Sequence, residues 1–283
     1  MRLLLGLVAL FLALAVGIGL GAGPLGDRID DPASDHPTAS DAATGTTDSV
    51  SDPVDAAVIT GLARTALAGK LTGQSVAIVT LPGASGSAVK ALTADITAAG
   101  GAVASTTALT EGMTAVDSKQ LVDSLGSQLV DQVGGPAVQS LTTYPRMGAL
   151  LGSALTTTAA PAAPGPGAVT IRSSLTTGDL VAAEPAGNLG TLTVVLTGTN
   201  VEDAILTGLI TGLAGQAHGL VVSGDTNDGD VAAVRDAKLA VGTFDGNETA
   251  GGAVATTLLL ARQITSPGGA FGASGSDGPA PLG

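Results

Sequence analysis

The chain has 283 residues, a formal net charge of −13 and no cysteine. The negative charge excludes binding driven by attraction to nucleic-acid phosphates, and the lack of cysteine excludes disulfides as a source of stability. Only four residues are aromatic and 42 are glycine, so the chain has almost no material for base- or sugar-stacking sites, and its core must form from small side chains.

The first predicted element is a membrane-spanning helix over residues 3–22. These twenty residues carry no charge and are all apolar or glycine. At about 1.5 Å of rise per residue they cover the roughly 30 Å hydrocarbon core of a bilayer. Arg2 precedes the run and the charged stretch 26–31 comes after it, which predicts that Arg2 stays in the cytoplasm and the rest of the chain is exported.

A cleaved signal peptide is the alternative for the same segment. Signal peptides have an apolar region of 7–15 residues that ends in a small-x-small site. The run here is longer, and Pro24 lies where cleavage is awkward, although 15–17 and 21–23 offer small residues at the required spacing. The retained anchor is the favoured interpretation, and both interpretations export the bulk of the chain.

Composition divides the remainder into three parts. Residues 23–55 are rich in Pro, Asp, Ser and Thr and predict a flexible acidic linker. Residues 266–283 are rich in Gly and Pro and predict a disordered tail. The body is then 56–265, with the Pro-rich segment 156–168 as its best internal boundary.

The first half of the body predicts a βαβ unit. Residues 75–81 form a continuous apolar run closed by Pro-Gly, as expected of a buried parallel strand. Ser85 or Ser87 caps a helix that runs through Ala99, and residues 102–109 form the next strand.

Two further helices are predicted before the Pro-rich segment. Asp117 or Ser118 caps the first of them, and the second covers 146–155. The first helix carries a stripe of leucines at helical spacing: Leu121, Leu125 and Leu129.

The second half predicts three buried strands, at 192–197, 220–223 and 239–243. A helix over 201–217 joins the first two strands, and a final helix covers 251–264. This alternation of strands and helices indicates an α/β domain with a parallel sheet covered by helices.

Two turns are similar to ligand-binding loops but depart from their patterns. Residues 83–86 lie between a strand and a helix, as a phosphate-binding turn does, yet they match neither GxGxxG nor GxxxxGK[ST]. Residues 225–230 are similar to the start of a calcium loop, but Gly is at the fifth position and Asp236 at the twelfth. A simple strand-to-helix turn and an acidic surface turn are the favoured interpretations.

No catalytic or cofactor-binding residue is predicted. His218, Ser223 and Asp225 are close in sequence, but triad members normally converge from separate loops, and the chain has no GxSxG elbow. Copper(I) prefers thiolate and thioether ligands. Only Met113, Met147 and His218 offer sulfur or imidazole in the body, and they are scattered, so the metal ligands, if any, stay unknown.

Four segments, taken in their order along the chain, are similar to motifs of a known protein family. They are FLALAVGIGLGAGPL (11–25), LAGKLTGQSVAIV (67–79), DGNETAGGAVATTLLLA (245–261), and GAFG (269–272) with a later APL (280–282). Together they resemble the N-terminal signature, first strand, final helix and C-terminal motif of the actinobacterial MctB-type copper transporter family. The chain departs from that family by lacking the basic Arg-x-His lead-in, and its acidic linker stands where relatives carry a charged coiled coil.

The resemblance implies a non-enzymatic copper transport or homeostasis protein of the cell envelope with a single N-terminal membrane segment. Copper ions as a partner are implied only by this resemblance, whereas a membrane partner follows from residues 3–22 and the exclusion of nucleic acid from the negative charge. Envelope or inner-membrane proteins are further expected partners, a homo-oligomer is one possible state, and no cofactor is expected. Related SteB-type proteins of corynebacteria are envelope partners of a cytoplasmic-membrane protein that controls septal peptidoglycan hydrolysis. An anchored scaffold that binds protein partners is therefore the alternative function.

Overall fold

Six parallel strands organise the computed structural model, which describes residues 53–133 and 135–282. The strands, in chain order, are β1 Ser75–Thr80, β2 Ala102–Ala108, β3 Leu192–Leu196, β4 Gly219–Gly224, β5 Gly242–Asp245 and β6 Ala270–Gly272. They form one sheet with the spatial order β2-β1-β3-β4-β5-β6, in which every neighbouring pair is parallel. The predicted parallel-sheet α/β domain is confirmed.

Ten α-helices connect and cover these strands within the described residues. They are α1 Pro53–Leu67, α2 Gly86–Ala98, α3 Glu111–Thr114, α4 Lys119–Val133, α5 Pro136–Gln139, α6 Thr143–Leu155, α7 Pro166–Thr177, α8 Asp203–Ala214, α9 Gly229–Asp236 and α10 Gly252–Arg262. A 3₁₀ turn, Val116–Ser118, precedes α4. In this part of the chain, no helix combines the length and apolarity that crossing a bilayer requires.

Only the last part of the predicted N-terminal region lies within the described residues. The anchor over residues 3–22 lies outside the described residues, as does the linker up to residue 52. The last three residues predicted as linker, 53–55, instead form the first turn of α1. Pro53 is suited to this position because its fixed φ fits a helix start, where its missing N–H is not needed.

The predicted βαβ unit is confirmed in detail. All six residues of β1 are buried, because β1 lies between β2 and β3 with helices on both faces. The Ser85 hydroxyl accepts a hydrogen bond from the Ala88 backbone N–H (3.4 Å) and caps α2, which buries Leu92 and Ile96. β2 comes next as the edge strand beside β1.

Successive residues of the strands point to opposite faces, and each face has its own helix layer. We call the side covered by α1, α2 and α10 the first layer; its core includes Val76 and Ile78 of β1. We call the side covered by α4, α6, α7, α8 and α9 the second layer; its core includes Ala77 and Val79 of β1. In the second layer, α4 and α7 pack on α6, which packs on α8.

Four glycines bring α6 and α8 close together. They form two pairs with i, i+4 spacing, Gly148 with Gly152 and Gly208 with Gly212. A Cβ atom added to Gly212 would overlap the Pro145 carbonyl oxygen and contact the Ala149 nitrogen, and one added to Gly148 would overlap the Leu209 carbonyl oxygen. The backbones therefore touch at positions where any side chain would separate them.

The inward face of α4 differs from the predicted leucine stripe. Leu121 is exposed, whereas the neighbouring positions Val122, Gly126, Leu129 and Val130 are buried. Gly126 lies against the Arg146 and Met147 side chains of α6. The leucine stripe correctly predicted a helix and the burial of Leu129, and Leu125 packs half-buried against the core, but Leu121 faces solvent.

The Pro-rich segment 156–168 is not a domain boundary. It links α6 to α7 inside a single compact unit of the chain, and its last residues already belong to α7. The buried Arg172 of α7 donates hydrogen bonds to the Ala154 carbonyl at the end of α6 (2.9 Å) and to the Pro185 and Gly187 carbonyls (3.0 and 2.9 Å). These bonds fix the two helices to each other.

The prediction of a disordered tail after residue 265 is wrong. Residues Ala270–Gly272 form β6, and Phe271 is buried with the Arg262 guanidinium 5.3 Å from its ring centre. The buried Asp245 carboxylate accepts hydrogen bonds from Arg235 (2.7 Å) and from the Ser274 hydroxyl and backbone N–H (2.7 and 2.9 Å). Paired strand edges and a charged network therefore hold a segment that composition alone marks as loop.

Candidate functional site

The carboxyl edge of the sheet is the place where folds of this class bind ligands. The chain moves from β1 outward to β2 and then returns to place β3 on the other side of β1. The loops after β1 and β3 therefore leave the sheet in opposite directions, and in open α/β sheets the crevice between two such loops is the usual binding site.

In this protein the loops after β1 and β3 bond directly to each other. The Leu81 N–H donates to the Leu196 carbonyl (2.9 Å), and the Thr199 N–H and hydroxyl both donate to the Pro82 carbonyl (2.8 and 3.0 Å). Gly198 packs so closely on the turn that an added Cβ would overlap the Pro82 carbonyl and the Ala84 nitrogen. The crevice is filled by backbone, and residues 83–86 form the expected strand-to-helix turn.

An open cleft of about 640 Å³ lies beside this closed crevice, between α1, α2 and α10. Its apolar walls include Ile59, Leu67 and Val254 and the alanines of these helices and of the loop before α10, which are Ala63, Ala88, Ala91, Ala94, Ala98, Ala250 and Ala253. Ser85, Asp225 and Glu248 line the cleft from loops at the carboxyl edge, and Asp95 lines it from within α2. The cleft has the volume of a small-molecule site, and its walls combine apolar side chains with polar and charged ones, among them Arg64.

The carboxylates of the cleft are in unfavourable surroundings. Burial raises the pKa of Asp95, whose side chain has no hydrogen-bond or ion-pair partner among the described residues. Partial burial, together with the nearby carboxylates of Glu248 and Asp228, also raises the pKa of Asp225. Glu248 is better placed, because its carboxylate accepts a hydrogen bond from the Thr226 N–H (3.1 Å).

The acidic run 225–230 divides into an exposed turn and a buried end. Residues 225–227 are exposed, as predicted, but Asp228 caps α9 by accepting from the Asp230 N–H (2.8 Å) and from the Thr197 hydroxyl. Asp230 is only 1 % exposed, so its prediction as part of a surface turn is wrong. Within the described residues, no group of three or more His, Cys, Asp or Glu side chains could hold a metal ion.

Asp230 is held against the start of α8. One carboxylate oxygen accepts from the Val201 N–H (2.9 Å), and the other has no partner among the described residues. Burial raises the pKa of Asp230 to about 6, and the carboxylates of Asp228 and Asp203 act in the same direction against the Val201 hydrogen bond. Asp230 therefore holds its proton to a higher pH than an ordinary aspartate does, which makes it a poor calcium ligand.

His218, Ser223 and Asp225 do not come together. His218 is exposed just before β4, at the amino edge of the sheet, and its backbone N–H donates to the Thr191 carbonyl (2.9 Å). Ser223 lies near the opposite end of β4, about 17 Å away at the rise of an extended strand. Its buried hydroxyl bonds the Thr256 hydroxyl (2.9 Å), so no nucleophile–base pair forms from these residues.

The sulfur atoms predicted as potential copper ligands lie in the second-layer core. Met113 of α3 and Met147 of α6 are both fully buried and belong to its apolar cluster. His218, the third potential ligand, is exposed at the amino edge of the sheet and lies outside that cluster. The fold does not gather the three side chains into one site.

The sequence patterns did not single out Asp95 and Glu248, which line the cleft. A usable signal for Asp95 was its position as the lone acidic residue in a helix otherwise made of small, apolar and hydroxyl residues with one lysine. Glu248 belongs to the DGNETA motif, which marked the start of a helix but not the wall of a cleft.

Comparison with known proteins assigns the chain to a family. It matches a family described as "Copper transport outer membrane protein, MctB" over residues 2–281, while a comparison with curated proteins finds no match. The matched range includes the apolar segment 3–22, the whole sheet and the C-terminal strand. The chain therefore belongs to the MctB family.

Proposed function

We propose that this protein is a copper transport or homeostasis protein of the cell envelope that works without catalysis. The main support for this proposal is the match to a copper transport family over residues 2–281, which includes the apolar N-terminal segment and the α/β domain. Copper is the substrate of such a protein and not its resident cofactor.

We propose further that residues 3–22 anchor the chain in a membrane, with the α/β domain outside the cytoplasm. Support comes from the sequence: twenty uncharged residues can span a bilayer, and the positive charge of Arg2 before them favours export of the rest of the chain. The acidic stretch up to residue 52 then tethers the domain.

The α/β domain does not store copper in its core under this proposal. Copper(I) needs accessible thiolate or thioether ligands, whereas Met113 and Met147 are buried among aliphatic side chains. The closed crevice between the loops after β1 and β3 also removes the site where many α/β enzymes bind a substrate. The domain is therefore proposed to act through its surface.

A deletion strain tests the function when copper tolerance and septation are scored side by side. We expect lower copper tolerance with normal septation, and recovery when the full chain is restored. A septation defect with unchanged copper tolerance would contradict the proposal and favour an envelope scaffold.

Two variants of the restored chain probe the mechanism. Met113→Leu with Met147→Leu keeps the core volume but removes both buried sulfur atoms, so copper tolerance should be unchanged. In the second variant a cleavable export signal replaces residues 3–22, so the domain is exported without an anchor. This variant should not restore copper tolerance. Loss of tolerance in the methionine variant, with unchanged thermal stability, would show that the core sulfurs bind the substrate.

A further inference from the structure

Residues 198–202, which we call the strap, cover the crevice between the loops after β1 and β3. The strap has no helix or strand, and most of its residues are exposed. Two attachments join it to other loops of the carboxyl edge. The first is the pair of bonds from Thr199 to the Pro82 carbonyl (2.8 and 3.0 Å), and the second is the bond from the Val201 N–H to the Asp230 carboxylate (2.9 Å).

The second attachment depends on a buried carboxylate with a single hydrogen bond. Asp230 is 1 % exposed, and the oxygen that does not bond Val201 has no partner among the described residues. An ionised carboxylate that is buried in this way loses its hydration without a full set of replacement bonds. The closed strap therefore favours protonated Asp230, whereas an open strap that admits water favours the ionised form.

The charges that face Asp230 also oppose its ionisation. Its helix α9 packs on α8, β4 and β5. Besides Asp230, the titratable groups at these elements are Glu202 and Asp203 at the start of α8, Asp228, Arg235 and Asp236 at α9, and Asp245 of β5, whereas β4 has none. Arg235 pairs with Asp245 (2.7 Å), and no cation among the described residues forms an ion pair with Asp230. The nearest charges, Asp228 and Asp203, are both negative.

We propose that the strap is a lid over the crevice and that release of the Asp230 proton opens it. Opening breaks the bonds to Asp230 and to the Pro82 carbonyl, so the turn 83–86 becomes accessible at the carboxyl edge of β1. Gly198 lies at the β3 end of the strap and is suited to a hinge, because it has no side chain to restrict its backbone. This switch is independent of the copper function and is absent from the family description.

The direction of the pH effect follows from the two states of the strap. Burial raises the pKa of Asp230 to about 6 when the strap is closed, whereas an exposed aspartate titrates near pH 4. The closed strap thus binds a proton that the open strap releases. Closure is strongest below about pH 4 and weakens up to about pH 6, beyond which the effect levels off. The equilibrium constant for opening should rise about tenfold between pH 5 and pH 8.

Hydrogen exchange of the full chain in detergent micelles, at pH 5 and pH 8, tests the proposal. Each rate is divided by the intrinsic exchange rate at that pH. The Thr199 and Val201 amides should show an opening constant that rises about tenfold, and they should be less protected than the β1 amides. The Leu189 amide, which donates to the Ala162 carbonyl (2.8 Å) outside the carboxyl edge, is the internal reference and should not change.

Three variants locate the proton. Asp230→Asn keeps the size of the side chain but cannot ionise, so the opening constant of the strap should not change with pH. Asp236→Asn removes an exposed carboxylate at the other end of α9 and should keep the tenfold rise. Asp203→Asn leaves the bond between Val201 and Asp230 in place but removes a facing charge, so the rise should be smaller than tenfold. This third variant tests the proposal even where Asp230→Asn does not fold.

Three results would overturn the proposal. The first is equal protection of the strap and β1 amides at both pH values, which would mean that the strap opens only when the whole domain unfolds. The second is an unchanged tenfold rise in Asp230→Asn or in Asp203→Asn, which would assign the proton to another group. The third is an equal rise at the Leu189 amide, which would indicate a general loosening of the domain.

Discussion

The two helix layers of the sheet are both rich in small residues, but these residues have opposite effects on packing. In the second layer, glycines of α6 and α8 allow backbones to touch, and the helices cover a large aliphatic core. In the first layer, alanines of α1, α2 and α10 leave a cleft of about 640 Å³ open to solvent. Small side chains therefore produce close packing where helices cross face to face and empty volume where the helices stay apart.

Composition alone therefore does not indicate how tightly a glycine- and alanine-rich chain is packed. The second layer should be intolerant of added atoms, whereas the first should accept them at the cleft. Single substitutions in each layer test this contrast, and the largest loss of stability is expected where two helix backbones touch.

Gly212→Ala should lower the free energy of unfolding by about 3 kcal/mol or more, because its methyl group would overlap the backbone of α6. Urea denaturation monitored by circular dichroism measures the change. The matched control is Gly61→Ala in α1, where an added Cβ meets no atom within 4 Å. That control should gain about 0.5–1 kcal/mol through helix propensity, and a similar gain in Gly212→Ala would refute close helix packing.

Asp230→Asn should remove part of the pH dependence of the free energy of unfolding, because Asp230 is buried in the second layer. The folded state raises the pKa of Asp230 to about 6, so the folded protein keeps a proton that the unfolded chain releases near pH 4. Stability therefore falls as pH rises between these values, by roughly 2 kcal/mol from pH 4.5 to 7.5. Denaturation at the two pH values should show this loss in the unmodified protein and a flatter profile in Asp230→Asn; an unchanged profile would exclude Asp230 as its source.

Ser274→Ala should cost about 1.5 kcal/mol, because it removes the hydroxyl that bonds both Asp245 and Arg235. Burial alone would raise the pKa of Asp245, but hydrogen bonds from Ser274 and Arg235 outweigh it and hold the pKa below its ordinary value. The ionised Asp245 thus stabilises the fold above about pH 4 and stops doing so as the pH falls further. Ser276→Ala, in the same segment but without a side-chain hydrogen bond among the described residues, should be neutral in the same denaturation assay.

Ala91→Leu should change stability by less than about 0.5 kcal/mol, because Ala91 is exposed on the cleft wall. Ala154→Leu is the comparison in the second layer, where the alanine is fully buried within the aliphatic core, and should cost about 1–3 kcal/mol. Equal melting temperatures for the two variants would remove the distinction between the layers.

Much of the sheet could be predicted from sequence because buried parallel strands consist of short apolar runs. β1, β3 and β4 coincide with such runs, and the Ser85 cap marks the start of α2. β5 was predicted a few residues too early, since Lys238 adopts a left-handed conformation (φ 53°) and the turn continues to residue 241.

The remainder depended on contacts between residues far apart in the chain. β6 is only three residues long; pairing with β5 makes it a strand, and contacts from Arg235 and Arg262 to Phe271 hold it in place. The cleft depends on the separation of three helices, which no local pattern encodes. The burial of Asp230 likewise depends on α8, whose start lies about thirty residues earlier in the chain.

The contact between α6 and α8 also gives the protein a built-in optical reporter. Tyr144 is the one tyrosine of a chain that has no tryptophan, and it is buried on α6 where its Cβ faces Gly208 of α8. The tyrosine bands of the fluorescence and near-ultraviolet circular dichroism spectra therefore arise at this single helix crossing, and the phenylalanines contribute the other aromatic bands. Burial and the nearby Glu202 raise the pKa of Tyr144, so the absorbance change of phenolate formation will track opening of the crossing as the solution becomes alkaline.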